Sequence, residues 1–598
     1  MIQSGMSQTG KLHRDDLDLL KGFAIIAVVL YHMGISRYGY LGVDVFFAIN
    51  GFLIMPKVIR EVADGCFHYG SFLEKRIVRL LPLLLLASAC ALLVGYWGML
   101  PDDYENLSTS VVATSFFSNN ILSAITTADY WDVVNDYKAL MHTWYIGILF
   151  EFYLILPLVV LLVKGLSCRC RLSFYKAITL TITGLTMVSL LCYLDPSATV
   201  GDRFYLLHYR FFELACGGLA GLWISNSRQS QLYGNRLFSA AVLILLVLVI
   251  NSAVSIFSKV VLLPLTVVLT TLLLLSDNSQ SRLFAILIRL KVICLLGVMS
   301  YSIFIWHQPV LAFYRYFVSD EMTPQFMLLF LIVVFLLSYL TYLFIEQKVR
   351  VSLRTRIIIL AAFLLVNAAA FAIYLHAGVV RDVPELYVSM DNVHRNMHAE
   401  YVDRIYPYDK DFPTDNGKLN VLVVGNSFAR DWANILLESE MADRINLSYI
   451  FQDGEQHIDK QYIRRIRQAD YIFFHGWKHF VPAYVWQSLK PGAEVWGIGT
   501  KNFGQSNGII YKNRFRPDYF QQTIKVKPYF IRVNNQMKAE WQDKYIDLLT
   551  PAMVGNDDRV AVFTHDKKFI SQDTRHLTKG GAEFYAKKLD FRKIFPND

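Results

Sequence analysis

Leu20-Lys21-Gly22-Phe23-Ala24-Ile25-Ile26-Ala27-Val28-Val29-Leu30-Tyr31-His32 is an apolar run with an ammonium near one end and an imidazole at the other. Counted from about Asp16, it is long enough to begin a membrane-spanning helix. Lys21 and His32 are eleven residues apart. On a helix they fall on nearly one face, about 16 Å apart along the axis. Ionisable groups on one face of a membrane helix are expensive and usually line a polar cavity. The structural alternative is that each snorkels to its nearer surface.

The rest of the chain extends this pattern. Of 598 residues, 54 % are hydrophobic, too many for a water-soluble chain. Residues 1–377 carry repeated apolar runs, whereas 378–598 carry none of spanning length. The organisation expected is a membrane domain over 1–377, a linker over 378–417 containing Pro384, Pro407 and Pro413, and a water-facing domain over 418–598. We read about eleven spans, at 16–34, 41–59, 80–98, 142–163, 176–194, 205–225, 237–256, 258–275, 294–314, 325–345 and 357–377. Cations crowd alternate loops (among them Arg14, Lys57, Arg60, Lys75, Arg76, Arg79, Lys164, Arg169, Lys348 and Arg350) and are few in the others (Arg37, Lys138, Arg203, Lys259, Arg315). By the positive-inside bias the N-terminus is cytoplasmic, and eleven spans put 418–598 on the far side. The polar start Met1–Gly10 lacks a signal-peptide pattern, so the first span is expected to act as an uncleaved signal.

The net charge of +9 belongs largely to these membrane-flanking loops, so no nucleic-acid partner is expected. All seven cysteines lie in the membrane half. The polar domain needs no disulfide and suits an oxidising compartment. Cys168-Arg-Cys170 has no matching His or Cys pair, and no metal is expected.

With this orientation, His32, Asp44, His142, Arg210, Glu213 and His307 share the outer half of five spans. Arg210 and Glu213 are one helical turn apart and read first as a structural ion pair. Three histidines at one depth with carboxylates suit proton transfer to or from a hydroxyl, and Asp44, His142, Arg210, Glu213 and His307 are the candidate substrate-binding residues there. On the inner side, Glu74-Lys75-Arg76-Ile77-Val78-Arg79 places cations at the cytoplasmic mouth. That is ordinary topology, or phosphate recognition by Arg76 and Arg79.

The same half resembles the membrane acyltransferase-3 family. The resemblance rests on His13-Arg14-Asp15-Asp16-Leu17-Asp18, Lys21 to His32, Gly42-Val43-Asp44-Val45-Phe46-Phe47, Arg76-Ile77-Val78-Arg79-Leu80-Leu81-Pro82, His142-Thr143-Trp144, Arg210-Phe211-Phe212-Glu213 and Ser300-Tyr301-Ser302 through His307-Gln308-Pro309. It implies transfer of an acyl group, usually acetyl from acetyl-coenzyme A, to a sugar hydroxyl of the cell envelope. It implies that Lys21 and His32 stand at the family's Arg/Lys-(ten residues)-His motif, with His32 as base or acyl carrier. Lys21 stands where Arg is common and Asn50 where Ser is common. Tyr145–Glu151 replaces a run that usually holds the family's first glutamates.

From Lys418 the pattern changes to short strands (Leu419–Val424, Ile445–Phe451, Tyr471–Phe474, Val495–Ile498) alternating with helices (Phe428–Leu437, Lys579–Leu589), which argues for an α/β domain with a parallel sheet. Gly425-Asn426-Ser427 follows the first strand, where open α/β sheets place their sites. A serine there that merely caps the next helix is the structural alternative. Asp573-Thr574-Arg575-His576 precedes the last helix, with an Asp spaced to orient the His. Ser early and Asp-x-x-His late resemble the SGNH (GDSL-like) hydrolase superfamily. The resemblance implies Ser427 as nucleophile, His576 as general base and Asp573 as its partner. It also implies oxyanion donors from the Ser427 backbone, a later glycine and an asparagine. After Tyr471–Phe474 the chain reads His475-Gly476-Trp477-Lys478 without that asparagine, leaving Gly454, Gly476 and Asn502 as alternatives.

The function expected is an O-acyltransferase, of O-acetyl type. It moves an acyl group from cytoplasmic acyl-CoA, a donor substrate and not a bound cofactor, to hydroxyls of a cell-surface polysaccharide such as lipopolysaccharide O-antigen. Peptidoglycan and capsule are the alternative acceptors, and the bacterial inner membrane is the expected site. An envelope-precursor transporter would also use many spans, but no inverted repeat is visible. A membrane-anchored esterase would need far fewer.

Overall fold

The computed structural model describes residues 14–596 apart from 127–132, 227–235, 252–258, 277, 279–280, 320, 414–416, 453–461, 505, 556 and 572. The chain forms two compact units. The first is Met1–Val94, Leu107–Arg315 and Glu321–Phe371; the second is Gly95–Asn106, Tyr316–Asp320 and Ala372–Asp598.

The first unit is helical. A helix stands at each of the eleven stretches read as spans. Six are long and apolar enough to cross a membrane, and the pair Lys291–Val298 and Ser300–Phe317, bent by 76°, makes a seventh. Among the described residues, six to seven pass by length and composition alone, so the count of about eleven spans is not confirmed. Asp15–His32 carries three acids in its first turn, while Arg236–Asn251 and Lys259–Leu275 have 16 and 17 residues. The tightest seam joins Gly42–Ala63 to Leu207–Asn226. A Cβ on Gly51 would be driven into the Leu214 carbonyl, and one on Gly217 into the Ala48 carbonyl. Small residues of this kind let membrane helices approach backbone to backbone.

The second unit is built on a five-stranded parallel sheet, in the order β2 (Ile445–Phe451), β1 (Leu419–Gly425), β3 (Tyr471–His475), β4 (Glu494–Ile498), β6 (Tyr545–Ile546). An antiparallel pair, β5 (Thr523–Lys525) and β7 (Arg559–Ala561), lies apart from it. The strands are buried on both faces, as parallel sheets must be. Along β1, Val421 and Val423 enter one core with Trp432 and Phe473, and Leu422 and Val424 the other with Ile472 and Trp541. That is the period of two made visible. Because β2 and β3 flank β1 on opposite sides, the turn after β1 is the sheet's switch point, where open sheets leave a crevice.

The stretch read as a linker, 378–417, is packed over its described part, 378–413. It carries the turn Pro384–Leu386 and the helix Met397–Asp403. It buries Val379, Val383 and Val388 in one cluster with Tyr511, Val562 and Phe569. Pro384 and Pro407 sit in short turns of this packed segment.

Candidate active sites

In the first unit, His32 ends its helix, His142 sits in the turn Met141–Thr143, and His307 lies inside Ser300–Phe317. The structure brings the three together. Ring centroids are 5.1 Å apart for His32 and His307, and 5.3 Å for His142 and His307. His307 Nδ1 is 2.7 Å from the Phe304 carbonyl oxygen. A carbonyl only accepts, so Nδ1 carries the proton and Nε2 is left as an acceptor. That Nε2 is buried, without a hydrogen-bond partner among the described residues. Pro309 has no N–H, so the Ile305 carbonyl lacks its helical donor; the His142 ring sits beside it. Arg315 Nη2 donates to the His32 carbonyl at 2.6 Å, and its Nη1 to Asp136 at 3.0 Å.

A cavity of about 170 Å³ opens in the same unit, lined among others by Lys21, Asn50, Arg76, Arg79, Tyr301 and Glu346. Lys21 lines it and pairs with Asp18 at 3.3 Å. His32 is not among its lining residues, so this cavity is not one that Lys21 and His32 share. Phe304 and Tyr145 form the partition: both line the cavity, and Phe304 packs on His142 and His307 at 5.2 and 5.6 Å. Asn50 donates to the Tyr145 hydroxyl at 2.9 Å. The Arg76 guanidinium lies over the rings of Phe72 and Tyr153.

Asp44, Arg210 and Glu213 form a sealed ion triad instead of lining that cavity. Arg210 reaches Asp44 at 2.9 Å and Glu213 at 3.1 Å, and all three side chains are at most 2 % exposed. The Phe47, Trp144 and Phe204 rings cover the guanidinium. The Asp44 contact was not visible in the sequence, which suggested only the Arg210–Glu213 pair.

In the second unit, β1 ends at Gly425 with φ +142°, and a Cβ there would press on His475 and Ala429. The helix Ser427–Leu437 follows. Asn426, not Ser427, caps it, its side chain accepting from Phe428 N at 3.0 Å. Ser427 Oγ is therefore left to His576 Nε2, at 2.8 Å. His576 Nδ1 is 2.6 Å from Asp573 Oδ2, and Asp573 Oδ1 accepts the His576 and Arg575 backbone N–H groups. Partial burial pulls the Asp573 pKa up. The His576 ring and these hydrogen bonds outweigh it and hold the carboxyl below the usual carboxylate range. Between the two, Thr574 adopts φ +76°, a strained conformation for a β-branched residue. Phe503 N–H donating to its carbonyl at 2.8 Å secures it. A line of this geometry can act as nucleophile, base and orienting carboxylate.

Around the serine, Gly476 follows β3 with φ +126°. Asn502 is turned into its own loop: its Nδ2 donates to the Gly504 carbonyl, and its Oδ1 accepts from Gly504 N and Lys527 N. Its amide is thus engaged away from the serine. Gly454 lies outside the described residues. Sequence reading missed His475, which stacks on Phe428 at 4.8 Å, and the buried pair Lys501–Asp431. Neither belongs to a motif, and only the sheet brings them to the turn.

Residues 14–343 match the acyltransferase-3 family, described as an acyltransferase domain. This is more than half of the chain, and the chain belongs to that family. Among its relatives is the O-acetyltransferase OatA of Staphylococcus aureus (strain NCTC 8325 / PS 47), 25 % identical over 357 residues, 56 % of this chain and 57 % of OatA. Another is YrhL of Bacillus subtilis (strain 168), provisionally named a peptidoglycan O-acetyltransferase. It is 27 % identical over 357 residues, 56 % of this chain and 54 % of YrhL. The chain thus spans little more than half the length of these curated relatives. No solved structure matches it.

Proposed function

We propose that the protein is an O-acetyltransferase of the cell envelope, working through two sites in series. The observation that carries this reading is the hydrogen-bonded line Ser427–His576–Asp573 in a chain of the acyltransferase-3 family. All eleven helices span the inner membrane in this proposal, with the N-terminus cytoplasmic and the serine domain on the far side. The cavity holding Lys21, Arg76 and Arg79 takes acetyl-CoA, its cations facing the donor's phosphates. The thioester is already activated, so the protein need add only a base and positioning. His32 is that base or carrier, with His307 and His142 beside it, and Phe304 touches both the cavity and the imidazoles.

At the serine domain, an SGNH-type site in this proposal, Ser427 Oγ attacks the acetyl carbonyl and His576 Nε2 accepts its proton. The proton returns to the leaving group, giving acetyl-serine. An acceptor sugar hydroxyl then attacks, passing its proton through His576 and regenerating Ser427. The SGNH-type sites proposed here are Ser427, His576 and Asp573, with Ser427 N–H and Gly476 N–H as oxyanion donors. Asp44, Arg210 and Glu213 hold helices together.

The acceptor is a surface polysaccharide. Lipopolysaccharide O-antigen is the acceptor read from the chain's layout, and peptidoglycan the one in the name of YrhL. The test is O-acetylation of both glycans, by NMR or mass spectrometry, in a deletion strain carrying wild type, His32→Ala or Ser427→Ala at matched expression. Loss with both variants on one glycan supports the two-site reading and names the acceptor. Loss with His32→Ala alone would leave the serine domain an accessory binder. Unchanged acetylation with both would sink the proposal and favour a transporter, and raised acetylation with Ser427→Ala an esterase.

A further inference from the structure

The serine site has no asparagine after β3, where the chain reads His475-Gly476, and Asn502 is engaged elsewhere. A buried ammonium lies behind the same turn. Lys501 is 0 % exposed, with Nζ 2.9 Å from Asp431 Oδ2, itself 0 % exposed. The Nζ also sits 3.8 Å from the centroid of Phe428, the neighbour of Ser427. Asp431 is one turn further along the nucleophile's helix, and its Oδ2 accepts the N–H of Leu577 at 3.0 Å. Leu577 follows His576. One ion pair therefore ties together the nucleophile helix, the segment carrying the base and the loop after β4.

Tying segments together does not require charge. A buried ion pair can be replaced by well-packed apolar residues with little loss of stability, and often with a gain. What an apolar pair cannot supply is a field. Phe428, next to Ser427, is touched both by this ammonium and by the His475 ring, and burial first and the ammonium second push the His475 pKa down to about 3. Inside a protein such a charge acts far more strongly than it would in water.

We propose that Lys501 is a positioning residue whose buried ammonium supplies the positive field for the oxyanion formed at Ser427, the work an asparagine would otherwise do. The inference rests on the reading of Ser427 as an acyl-accepting nucleophile. In that step the Ser427 Oγ–carbon bond forms and the carbonyl π electrons move onto oxygen, while the serine proton passes to His576. Collapse restores the carbonyl, and the leaving group departs with that proton. Lys501 donates no proton in this scheme; burial lowers its pKa, and the Asp431 carboxylate opposes that and favours the charged form.

The test uses the full chain in detergent, with p-nitrophenyl acetate as acyl donor, and measures kcat, KM and melting temperature together. Lys501→Arg keeps the charge and is expected to retain most of kcat. Lys501→Met is expected to lower kcat by about tenfold to a hundredfold, with KM little changed. The Lys501→Met/Asp431→Asn double variant removes both charges. It is expected to melt like wild type and still turn over slowly. A double variant that recovers kcat with its melting temperature would make the pair purely structural and overturn the inference. So would a Lys501→Met variant of wild-type kcat, or an equally slow but fully folded Lys501→Arg. Where Lys501→Met or the double variant fails to fold, the kcat of Lys501→Arg decides: near wild type it supports the inference, and a large loss in the folded variant overturns it. Ser427→Ala separates the two readings: if it hydrolyses the ester as fast as wild type, the serine site itself fails.

Discussion

Asn426 decides what Ser427 can do. By taking the cap of the helix it leaves the serine hydroxyl to His576, so the residue that reads as an ordinary cap in the sequence is released for chemistry. Asp573 then fixes the tautomer: an Nδ1–H donated to its carboxylate leaves Nε2 to accept from the serine. Asp573→Asn is expected to lower ester turnover by about 10³- to 10⁴-fold with little change in melting temperature, checked by steady-state kinetics beside a thermal melt. His475 gives a pH prediction. An unfolded imidazole titrates at 6.5, and native His475 at about 3. Between those values the unfolded chain binds a proton that the native one does not. The stability contribution is therefore full above the unfolded value and is lost as pH falls towards the native one. His475→Gln is expected to flatten the fall in melting temperature between about pH 6.5 and pH 4. An unchanged slope would assign that fall to other groups.

At the scale of elements, the helix pair Gly42–Ala63 and Leu207–Asn226 meets through Gly51 and Gly217, with no room for a Cβ on either. Gly217→Leu is expected to destabilise the first unit by about 1–3 kcal/mol or more, seen as a lower melting temperature and an aggregated fraction on gel filtration. The surface glycine Gly165, with open space around it, is the control: Gly165→Ala should behave as wild type. Strands β1 to β4 were legible within a residue or so, because a buried parallel strand is a short apolar run between turn signals. The two-residue β6 and the antiparallel β5–β7 pair were not, since strands so short carry too little pattern. The segment 378–417 read as a linker because its prolines are local signals. Its packing against Tyr511 and Phe569 is a contact across more than a hundred residues.

For the whole molecule, the proposal of eleven spans with a cytoplasmic N-terminus makes a sharp topological prediction. Cys66 and Cys168 are exposed and should react with a membrane-impermeant maleimide only after the cells are opened. Alkaline phosphatase fused after residue 598 should be active in intact cells. An inactive fusion of full length would reverse the orientation or change the span count. The sequence by itself determined the division into an apolar helical half and a polar α/β half, the parallel strands, and the residue types at both sites. Apolar run length, alternation and short motifs are local properties, and they survive without a fold. Tertiary structure decided which of those residues meet. It joined His32, His142 and His307 from three segments, and it set Lys21 in a cavity that His32 does not line. It closed Asp44 onto Arg210 and buried Lys501 on Asp431 behind the serine. Each of those contacts depends on helix packing or strand order, which no local pattern encodes.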